Sequence, residues 1–310
     1  MRSFDTEVLK SLYIPPHDAH KPQNGAVMLI GGSQLFHAAS LWSLTIISRI
    51  VDMTFYSSVS ANNEIIQKAK EEFRNGIVVP REKIDDYIND ADVVLIGPGL
   101  PRAEGLEEGD DDTKELTESF IKKYPEKKWV IDGGSLQVVS PELIPKTAII
   151  TPHQREFEML KSRIKNQELR IKMEDVSIGE QVELFAKEYK CIVLLKGEID
   201  YVCGPDDSAP FDSAQAVQGS EEPSGSRRGE IRCMQISGGN SGMTKGGTGD
   251  VLAGVVAALY AKNDAFLSAT AASYINKKAG ESLFERVGYY FNASDLADEI
   301  PKVMKKVITQ

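Results

Sequence analysis

Short apolar runs recur along the chain, and most of them are followed by glycine, proline or polar residues and then by a longer amphipathic stretch. The runs are rich in valine and isoleucine through most of their length, which is typical of strands buried on both faces of a sheet. They predict strands at residues 26–30, 54–58, 93–96, 129–131, 148–151 and 192–195. The stretches between them predict helices at residues 38–51, 63–73, 114–123, 156–165 and 178–189.

The alternation of strands and helices predicts an α/β fold with a largely parallel sheet that helices cover on both faces. The active sites of such sheets lie beyond the carboxyl ends of the strands, so we expect the chemistry there. No internal repeat with a fixed period is visible, and we expect a single domain over residues 1–310. Residues 205–230, rich in Ser, Gly, Asp and Glu, predict a surface insertion, and residues 104–112 predict an acidic, solvated loop.

The composition is that of a globular protein with a sizeable core, since 41% of the 310 residues are hydrophobic and 26% are charged. The formal net charge of -10 argues against a broad binding surface for nucleic acid or for anionic lipid. A local anion site is compatible with this charge, because backbone amides bind anions without any positive side chain.

Neither a membrane span nor a secretion signal is visible in the sequence. The most apolar stretches, residues 41–51 and 251–261, are too short to cross a bilayer. Asp5 and Glu7 interrupt the place where a signal peptide has its apolar run. The three cysteines lack CxxC spacing and there are only four histidines, so we expect neither a disulfide framework nor a protein-bound metal. These observations predict a cytoplasmic protein.

The strongest chemical signal is a glycine-dense loop that runs from Gly238 to Asp250 and leads into the apolar stretch VLAGVVAALYA. The apolar positions 251, 252, 255, 256 and 259 predict a buried helix after the loop. Such a loop presents free N–H groups and the positive end of a helix at one point, where a phosphate can bind. The pattern is not GxxxxGK[ST], which excludes the phosphate loop of that NTPase class.

Asp250 stands out within this loop because its carboxylate would repel a bound phosphate unless it acted as a base or met a cation. An acid at a helix start also has a simpler explanation, since it stabilises the helix dipole. The combination of the glycines, Asp250 and a buried helix favours phosphoryl transfer over a merely flexible turn.

His153 follows the predicted strand at residues 148–151 and Pro152, which places it on the ligand side of the sheet. The alternative is a histidine that only starts a helix, with Glu156 and Glu158 as acids of its first turn.

Lys196 ends another predicted strand, directly before Gly197, and could neutralise phosphate charge there. Residues 97–99 (Gly-Pro-Gly) and 31–33 (Gly-Gly-Ser) follow two further strands. Each of these turns is a weak signal by itself, because any tight turn favours glycine. Together they predict a large polar cleft at one edge of the sheet.

At these residues the sequence resembles the ribokinase-like superfamily, and within it the ADP/ATP-dependent NAD(P)H-hydrate dehydratases. The similarity runs in order from about Lys21 to Pro301. It comprises GGS, DADVVLIGPGL, VIDGGSL, TPHQREFEML, VLLKG, GMTKGGTGDVLAGVVAAL and ASDLADEIP. The GGTGDVLAG and TPH…EF segments are the specific ones, and the sugar kinases of the wider superfamily share a GAGD-like element but not the whole set.

The resemblance implies repair of hydrated nicotinamide dinucleotides, in which ATP or ADP phosphorylates a ring hydroxyl and phosphate then leaves. Asp250 would take the hydroxyl proton, and the substrates would be NADHX and NADPHX. The transferring phosphoryl group would lie on the amides of Gly246, Gly247 and Gly249. The nucleotide would be lined by Lys196, Gly197, Glu198, Ile199, Asp200, Thr248 and Gly249. Ala38, Gly99 and His153 would contact the hydrated dinucleotide together with Asp250.

The resemblance also implies Mg²⁺ as the charge partner of the nucleotide, and a homo-oligomer. An epimerase domain is often fused before the dehydratase in this family. Only about twenty residues precede the first matched motif here, so we expect the epimerase to be a separate protein. Neither a nucleic acid nor a membrane is expected as a partner.

Several positions depart from the family pattern, mainly at the acceptor and adenosine ends of the cleft. His37 stands where glycine is usual, Pro101 replaces the last glycine of GPGLG, and Gly133 replaces the alanine of DAD. Asp200 replaces the threonine of KGxxT and would bring an extra carboxylate near the nucleotide. These changes keep two alternatives open: a kinase of the same fold for a sugar, vitamin or thiazole alcohol, and a non-catalytic nucleotide-binding protein.

Overall fold

The computed structural model describes residues 1–73, 75–102, 105–205 and 230–308. Within them the strands are β1 (Arg2–Ser3), β2 (Ala26–Ile30), β3 (Met53–Ser57), β4 (Ile77–Val78), β5 (Val93–Ile96), β6 (Lys128–Ile131), β7 (Ala148–Ile150), β8 (Ile192–Leu195), β9 (Asp200–Pro205) and β10 (Ile231–Ile236).

The α-helices of the described residues lie between and after these strands. They are α1 (His37–Ile47), α2 (Ser60–Phe73), α3 (Ile84–Asp90), α4 (Thr113–Lys123), α5 (Gly133–Val138), α6 (Gln154–Ser162), α7 (Gln167–Glu174), α8 (Ile178–Tyr189), α9 (Thr248–Tyr260), α10 (Ala265–Val287) and α11 (Ala293–Ile308). Short 3-10 helices cover Thr6–Ser11, Arg81–Lys83, Pro141–Leu143 and Ser241–Thr244.

All described strands join one sheet in the order β1-β10-β9-β8-β7-β6-β5-β2-β3-β4. The strands run parallel except β9, which is antiparallel to both β8 and β10. Helices pack on both faces, because alternate side chains of each central strand point to opposite sides. Val27 and Leu29 belong to the buried cluster that includes α1, α9, α10 and α11, whereas Met28 and Ile30 belong to the cluster that includes α3 to α8. The α/β class that the strand–helix alternation predicted is confirmed.

The apolar runs predicted the central strands closely. β2, β5, β8 and helix α8 have the predicted bounds. The first predicted helix, however, ends at Ile47 instead of at residue 51. The chain turns there toward β3, and the Arg49 guanidinium lies against the backbone oxygen of Ala297 in α11 at 2.8 Å.

A disulfide joins Cys203 to Cys233, a pair that the sequence, with no indication of a disulfide framework, did not predict. The register of the antiparallel strands β9 and β10 places these two residues opposite each other. They are 30 positions apart in the sequence, a distance that gives no spacing signal.

Of the predicted insertion at residues 205–230, Pro205 ends β9 and Glu230 precedes β10. Residues 206–229 lie outside the described residues.

The predicted acidic loop is solvated only in part, since residues 106–109 are exposed whereas Asp110 and Asp111 contact the rest of the protein. One oxygen of Asp110 accepts a hydrogen bond from the backbone N–H of Gln34 at 2.7 Å, and Asp111 forms an ion pair with Arg81. These contacts fasten the described part of the loop, residues 105–112, to the ends of β2 and β4.

Among the described residues, no helix combines the length and the apolar character that crossing a membrane requires.

Candidate active site

The carboxyl ends of five neighbouring parallel strands meet at one edge of the sheet, as the turn residues predicted. Gly31, Gly97, Asp132, Thr151 and Lys196 directly follow β2, β5, β6, β7 and β8. The backbone N–H of Lys196 donates to the oxygen of Pro152 at 2.8 Å, which continues the ladder between the last two strands. The ends of these five strands therefore form one continuous surface at this edge of the sheet.

The glycines of residues 97–99 are required by close backbone packing. Gly97 has a φ of +122°, and a β-carbon on it would lie 1.7 Å from the backbone oxygen of Asp132. Gly99 has a φ of +71°, and its β-carbon would lie 2.7 Å from the oxygen of Phe36, just before α1. Backbone therefore forms this end of the cleft, and Gly99 lies against the first turn of the helix that carries Ala38.

Residues 246–249, for which the sequence predicts phosphate binding, form a glycine-rich turn at the start of α9 that is here called the cradle. Gly247 has a φ of +96° and lies under the ring of Trp42, which a β-carbon would approach to 2.2 Å. The first backbone bond of α9 runs from Val251 to Gly247. Among the described residues, the N–H groups of Gly246, Gly247 and Gly249 have no acceptor. Three amide donors are thus available to an anion at a helix N-terminus.

The hydroxyl of Thr248 stabilises the same loop from inside. It donates toward the backbone oxygens of Met243 at 2.6 Å and of Lys245 at 2.9 Å. The ammonium of Lys245 in turn donates to the backbone oxygen of Phe291 at 2.7 Å. The cradle is therefore held in shape by its own polar groups before any ligand binds.

A cation lies beside the cradle. The ammonium of Lys196 is paired with the carboxylate of Asp132 at 2.8 Å, and only 16% of the lysine side chain is exposed. The hydroxyl of Thr151 donates to the same Asp132 oxygen at 2.7 Å. A β-carbon on Gly249 would lie 3.4 Å from the lysine nitrogen. Burial alone would lower the pKa of Lys196, but Asp132, Glu156 and Asp250 outweigh it and raise the pKa, so the lysine stays charged.

Asp250 lies in the first turn of α9, half-buried next to this ion pair. Its backbone oxygen accepts a hydrogen bond from the Ser43 hydroxyl at 2.7 Å, which ties the turn to α1. Burial, together with the negative charge of Asp132, raises the pKa of the Asp250 carboxyl to about 7, although Lys196 acts in the opposite direction. A carboxylate with a pKa near neutrality is well suited to accept a proton in catalysis.

His153 caps α6, as the simpler interpretation of this residue held. Its ring nitrogen Nδ1 accepts from the backbone N–H of Glu156 at 3.2 Å, and the Glu156 carboxylate accepts from the backbone N–H of His153 at 3.0 Å. Burial lowers the pKa of His153, so the ring is neutral at physiological pH. With Nδ1 as an acceptor, the ring proton lies on Nε2. The ring is 45% exposed at the sheet edge, where a ligand can reach it.

The loop of residues 196–200 connects β8 to β9, and its extra acid does not face a ligand. Asp200 is 4% exposed. Its carboxylate accepts from the backbone N–H of Gly197 at 2.9 Å and from the hydroxyl of Ser273 at 2.7 Å, and it pairs with Lys277. The sequence interpretation, which brought this charge near the nucleotide, is corrected by these contacts. Glu198 and Ile199 are exposed at the tip of the loop.

The far end of the cleft is formed by the start of α1. Ala38 is exposed in the first turn, and His37 contacts Asn62 through Nδ1 at 3.0 Å. The side-chain nitrogen Nε of Arg81 nearby is buried without a hydrogen-bond partner among the described residues.

Sequence reasoning missed Asp132, Thr151 and Lys277 as site residues and assigned Glu156 only to the helix dipole. Asp132 and Thr151 had a usable signal, since both directly follow predicted strands at the ligand edge. Lys277 had none, because it lies within the long helix α10 and 80 positions from Gly197, which it contacts.

Comparison with known proteins agrees with this architecture. The profile of the NAD(P)H-hydrate dehydratase family matches residues 27–219 and 228–302. The bifunctional NAD(P)H-hydrate repair enzyme of Methanocaldococcus jannaschii is 31% identical over 307 residues, which cover 96% of this chain and 51% of that protein. The chain thus spans about half the length of such bifunctional relatives. An ADP-dependent (S)-NAD(P)H-hydrate dehydratase of Nitrosopumilus maritimus is 29% identical over 319 residues, covering 97% of this chain and 96% of that protein.

Solved structures show the same fold. A ribokinase-like superfamily protein of Enterococcus faecalis superposes with a TM-score of 0.75 at 23% identity, over 100% of this chain and 97% of that one. The ADP/ATP-dependent NAD(P)H-hydrate dehydratase of Bacillus subtilis, co-crystallised with ATP and Mg²⁺, superposes with a TM-score of 0.68 at 18% identity, over 99% and 98%. The chain therefore belongs to the NAD(P)H-hydrate dehydratase family and has the ribokinase-like fold.

Proposed function

We propose that this protein restores NADH and NADPH from their hydrated forms, NADHX and NADPHX, with ADP or ATP as phosphoryl donor. The observation that carries the proposal is the position of Asp250, a carboxyl with a pKa of about 7 in the first turn of α9, beside the three unpartnered glycine amides at the start of that helix. Family membership supplies the substrate class, because relatives of nearly the same length are named as ADP-dependent dehydratases.

In the first step Asp250 accepts the proton of the ring hydroxyl, and the hydroxyl oxygen attacks the terminal phosphorus of the nucleotide. The bond from that phosphorus to the bridging oxygen breaks, which leaves a phosphate ester on the ring and releases AMP from ADP or ADP from ATP. The amides of Gly246, Gly247 and Gly249 hold the transferring group, and the Lys196 ammonium offsets its negative charge. Asp132 keeps Lys196 in place through their 2.8 Å ion pair.

In the second step the ester eliminates phosphate. The bond from the ring carbon to the ester oxygen breaks, the neighbouring carbon loses a proton to water, and the ring double bond of NAD(P)H forms. The phosphate leaves with the former hydroxyl oxygen. Phosphate is a good leaving group where hydroxide is a poor one, so the first step makes the second one possible.

Mg²⁺ fits this site as the companion of the nucleotide phosphates. In the part of the chain that the structure describes, no cluster of three or more His, Cys, Asp or Glu could form a metal cage. Mg²⁺ usually binds through substrate phosphates and one or two carboxylates, and Asp132 and Asp250 are the carboxylates at the cradle. When bound, it would neutralise phosphate charge.

The remaining assignments belong to the same proposal. The exposed part of the loop after β8, from Lys196 to Ile199, lines the nucleotide together with Thr248. Ala38, Gly99 and His153 contact the hydrated dinucleotide from α1, the turn after β5 and the start of α6. We further propose that the protein acts in the cytoplasm as a homo-oligomer and works together with an epimerase on the same substrates.

The test is the appearance of NADH absorbance when purified protein receives hydrated NADH, Mg²⁺ and either ADP or ATP. We expect turnover in the wild type and a loss of several orders of magnitude in Asp250→Asn, with nucleotide affinity largely retained. Phosphorylated dinucleotide or another phosphorylated alcohol without NADH would instead identify a kinase. Asp250→Asn with wild-type turnover would refute the assignment of the base.

A further inference from the structure

The ammonium of Lys277, on α10, lies in a cage of oxygen atoms. It donates to the backbone oxygens of Gly197 at 3.0 Å, Glu198 at 3.0 Å and Gly238 at 3.3 Å. The carboxylate of Asp200 completes the cage at 3.2 Å. Only 7% of the lysine side chain is exposed, so the charge is held by protein groups instead of by water.

This cage uses the whole hydrogen-bonding capacity of the lysine. An ammonium has three N–H donors, and three carbonyl oxygens and one carboxylate face it. No donor remains for a ligand, so Lys277 does not bind phosphate directly. Asp200 is likewise occupied, because it also accepts from Gly197 and Ser273. The Lys277–Asp200 pair therefore binds the backbone of the loops around it and not a ligand.

The carbonyls of the cage come from two separate loops. Gly197 and Glu198 belong to the connection between β8 and β9, which is the proposed nucleotide loop. Gly238 follows β10 and begins the segment that leads through the 3-10 helix Ser241–Thr244 to the glycine cradle. One turn further along α10, Glu281 accepts from the backbone N–H of Gly239 at 3.0 Å. One helix therefore holds both loops.

We propose that Lys277 is a positioning residue that serves as a tethered monovalent cation and sets the spacing of these two loops for nucleotide binding. Rings of backbone carbonyls are the usual environment of a weakly hydrated monovalent cation, and here the ammonium of α10 takes that place. Asp200 balances its charge. The inference rests on the proposed function in that it takes residues 196–199 to line the nucleotide.

The experiment removes the tethered cation and supplies a soluble one. Lys277→Ala leaves a space with the same oxygen atoms, and ADP affinity is measured by calorimetry with added ethylammonium, ammonium or tetramethylammonium chloride at equal ionic strength. We expect affinity to fall by at least about tenfold and to return within about threefold of the wild type with ethylammonium. Tetramethylammonium has no N–H donor and is expected to restore nothing.

A control is Lys10→Ala in the 3-10 helix Thr6–Ser11, where Lys10 pairs with Glu7 at 2.9 Å on the surface and contacts neither loop. Its ADP affinity is expected to stay within about twofold of the wild type, since exposed ion pairs contribute little. The double variant Asp200→Asn with Lys277→Met keeps the shape without a buried unpaired carboxylate, which serves if Lys277→Ala fails to fold. It should also lose at least about tenfold in ADP affinity.

Wild-type ADP affinity in Lys277→Ala, or in the double variant, would overturn the inference. Equal restoration by tetramethylammonium would also overturn it, because ionic strength would then explain the recovery. Binding is measured without hydrated NADH, so the result does not depend on turnover. A wild type that binds ADP but never produces NADH would refute the proposed function and leave this inference standing.

Discussion

The Asp250 carboxyl destabilises the folded protein above neutral pH, and Asp250→Asn is expected to raise the free energy of unfolding there. In the folded chain the pKa of this carboxyl rises from 3.8 to about 7, mainly because of burial and of the nearby Asp132. The folded state therefore holds a proton between these pH values that the unfolded state has released. Stability of the wild type falls as the pH rises through this interval.

The magnitude follows from the same pKa values. A change of one unit corresponds to about 1.36 kcal/mol, so the rise to about 7 corresponds to about 4 kcal/mol at most. Solvent reaches the half-buried carboxylate and reduces this figure. We expect Asp250→Asn to gain between about 2 and about 4 kcal/mol at about pH 8, and less than half of that gain at about pH 5.

Urea unfolding followed by tryptophan fluorescence measures the gain, since Trp129 is fully buried in the native protein. The matched control is Asp295→Asn, the same substitution in the first turn of α11, where Asp295 accepts from the backbone N–H of Asn292 at 2.8 Å. This exposed acid supports its helix, so its loss should reduce stability by up to about 1 kcal/mol.

The reasoning is refuted if Asp250→Asn is no more stable than the wild type at about pH 8, or if its gain is the same at about pH 5. A gain that is independent of pH would mean that the amide packs better and that the carboxylate carries no electrostatic penalty. The pKa assigned to the base would then be wrong, whatever the variant does to turnover.

Three further predictions concern the site. Asp132→Asn removes a charge that raises the pKa of Asp250, so the acidic limb of kcat/KM against pH should move to lower pH. Lys196→Met removes a charge that lowers this pKa and should move the same limb to higher pH. Shifts of the same sign in the two variants would contradict the electrostatic account. Gly247→Ala forces a β-carbon into the Trp42 ring at a left-handed φ, and thermal melting and turnover assays should show at least about 2 kcal/mol of lost stability and a tenfold slower rate. His153→Ala should lose about 1 kcal/mol through its cap and raise KM for the hydrated dinucleotide; steady-state kinetics with an unchanged KM would leave it a capping residue only.

The middle of the sheet could be predicted because β2, β5 and β8 are apolar on both faces and bounded by glycine or polar turns. β1 and β4 have two residues each, too few for any periodic signal. The helix α5 begins with two glycines, which by sequence alone are typical of a turn and not of a helix. The disulfide depends on the register of β9 and β10, which follows from tertiary pairing alone.

The site residues likewise divide into those that the sequence indicated and those whose role depends on tertiary contacts. The cradle, Asp250, Lys196 and His153 each lie within a short segment whose spacing carries meaning, so the sequence singled them out. The orientation of Asp200 could not be predicted, because Ser273 and Lys277, which hold it, lie more than 70 positions away. The pKa of Asp250 likewise depends on Asp132, which the fold brings beside it from another strand.

The central claim is that the ring hydroxyl is phosphorylated before it leaves, and the fate of its oxygen tests this most directly. Hydrated NADH carrying ¹⁸O in the hydroxyl is converted in unlabelled water with Mg²⁺ and ADP or ATP. The ¹⁸O content of the released inorganic phosphate is measured by mass spectrometry. We predict one ¹⁸O in each phosphate released with NADH. NADH formed together with unlabelled phosphate would contradict the claim, because the hydroxyl would then have left without ever bonding to phosphorus.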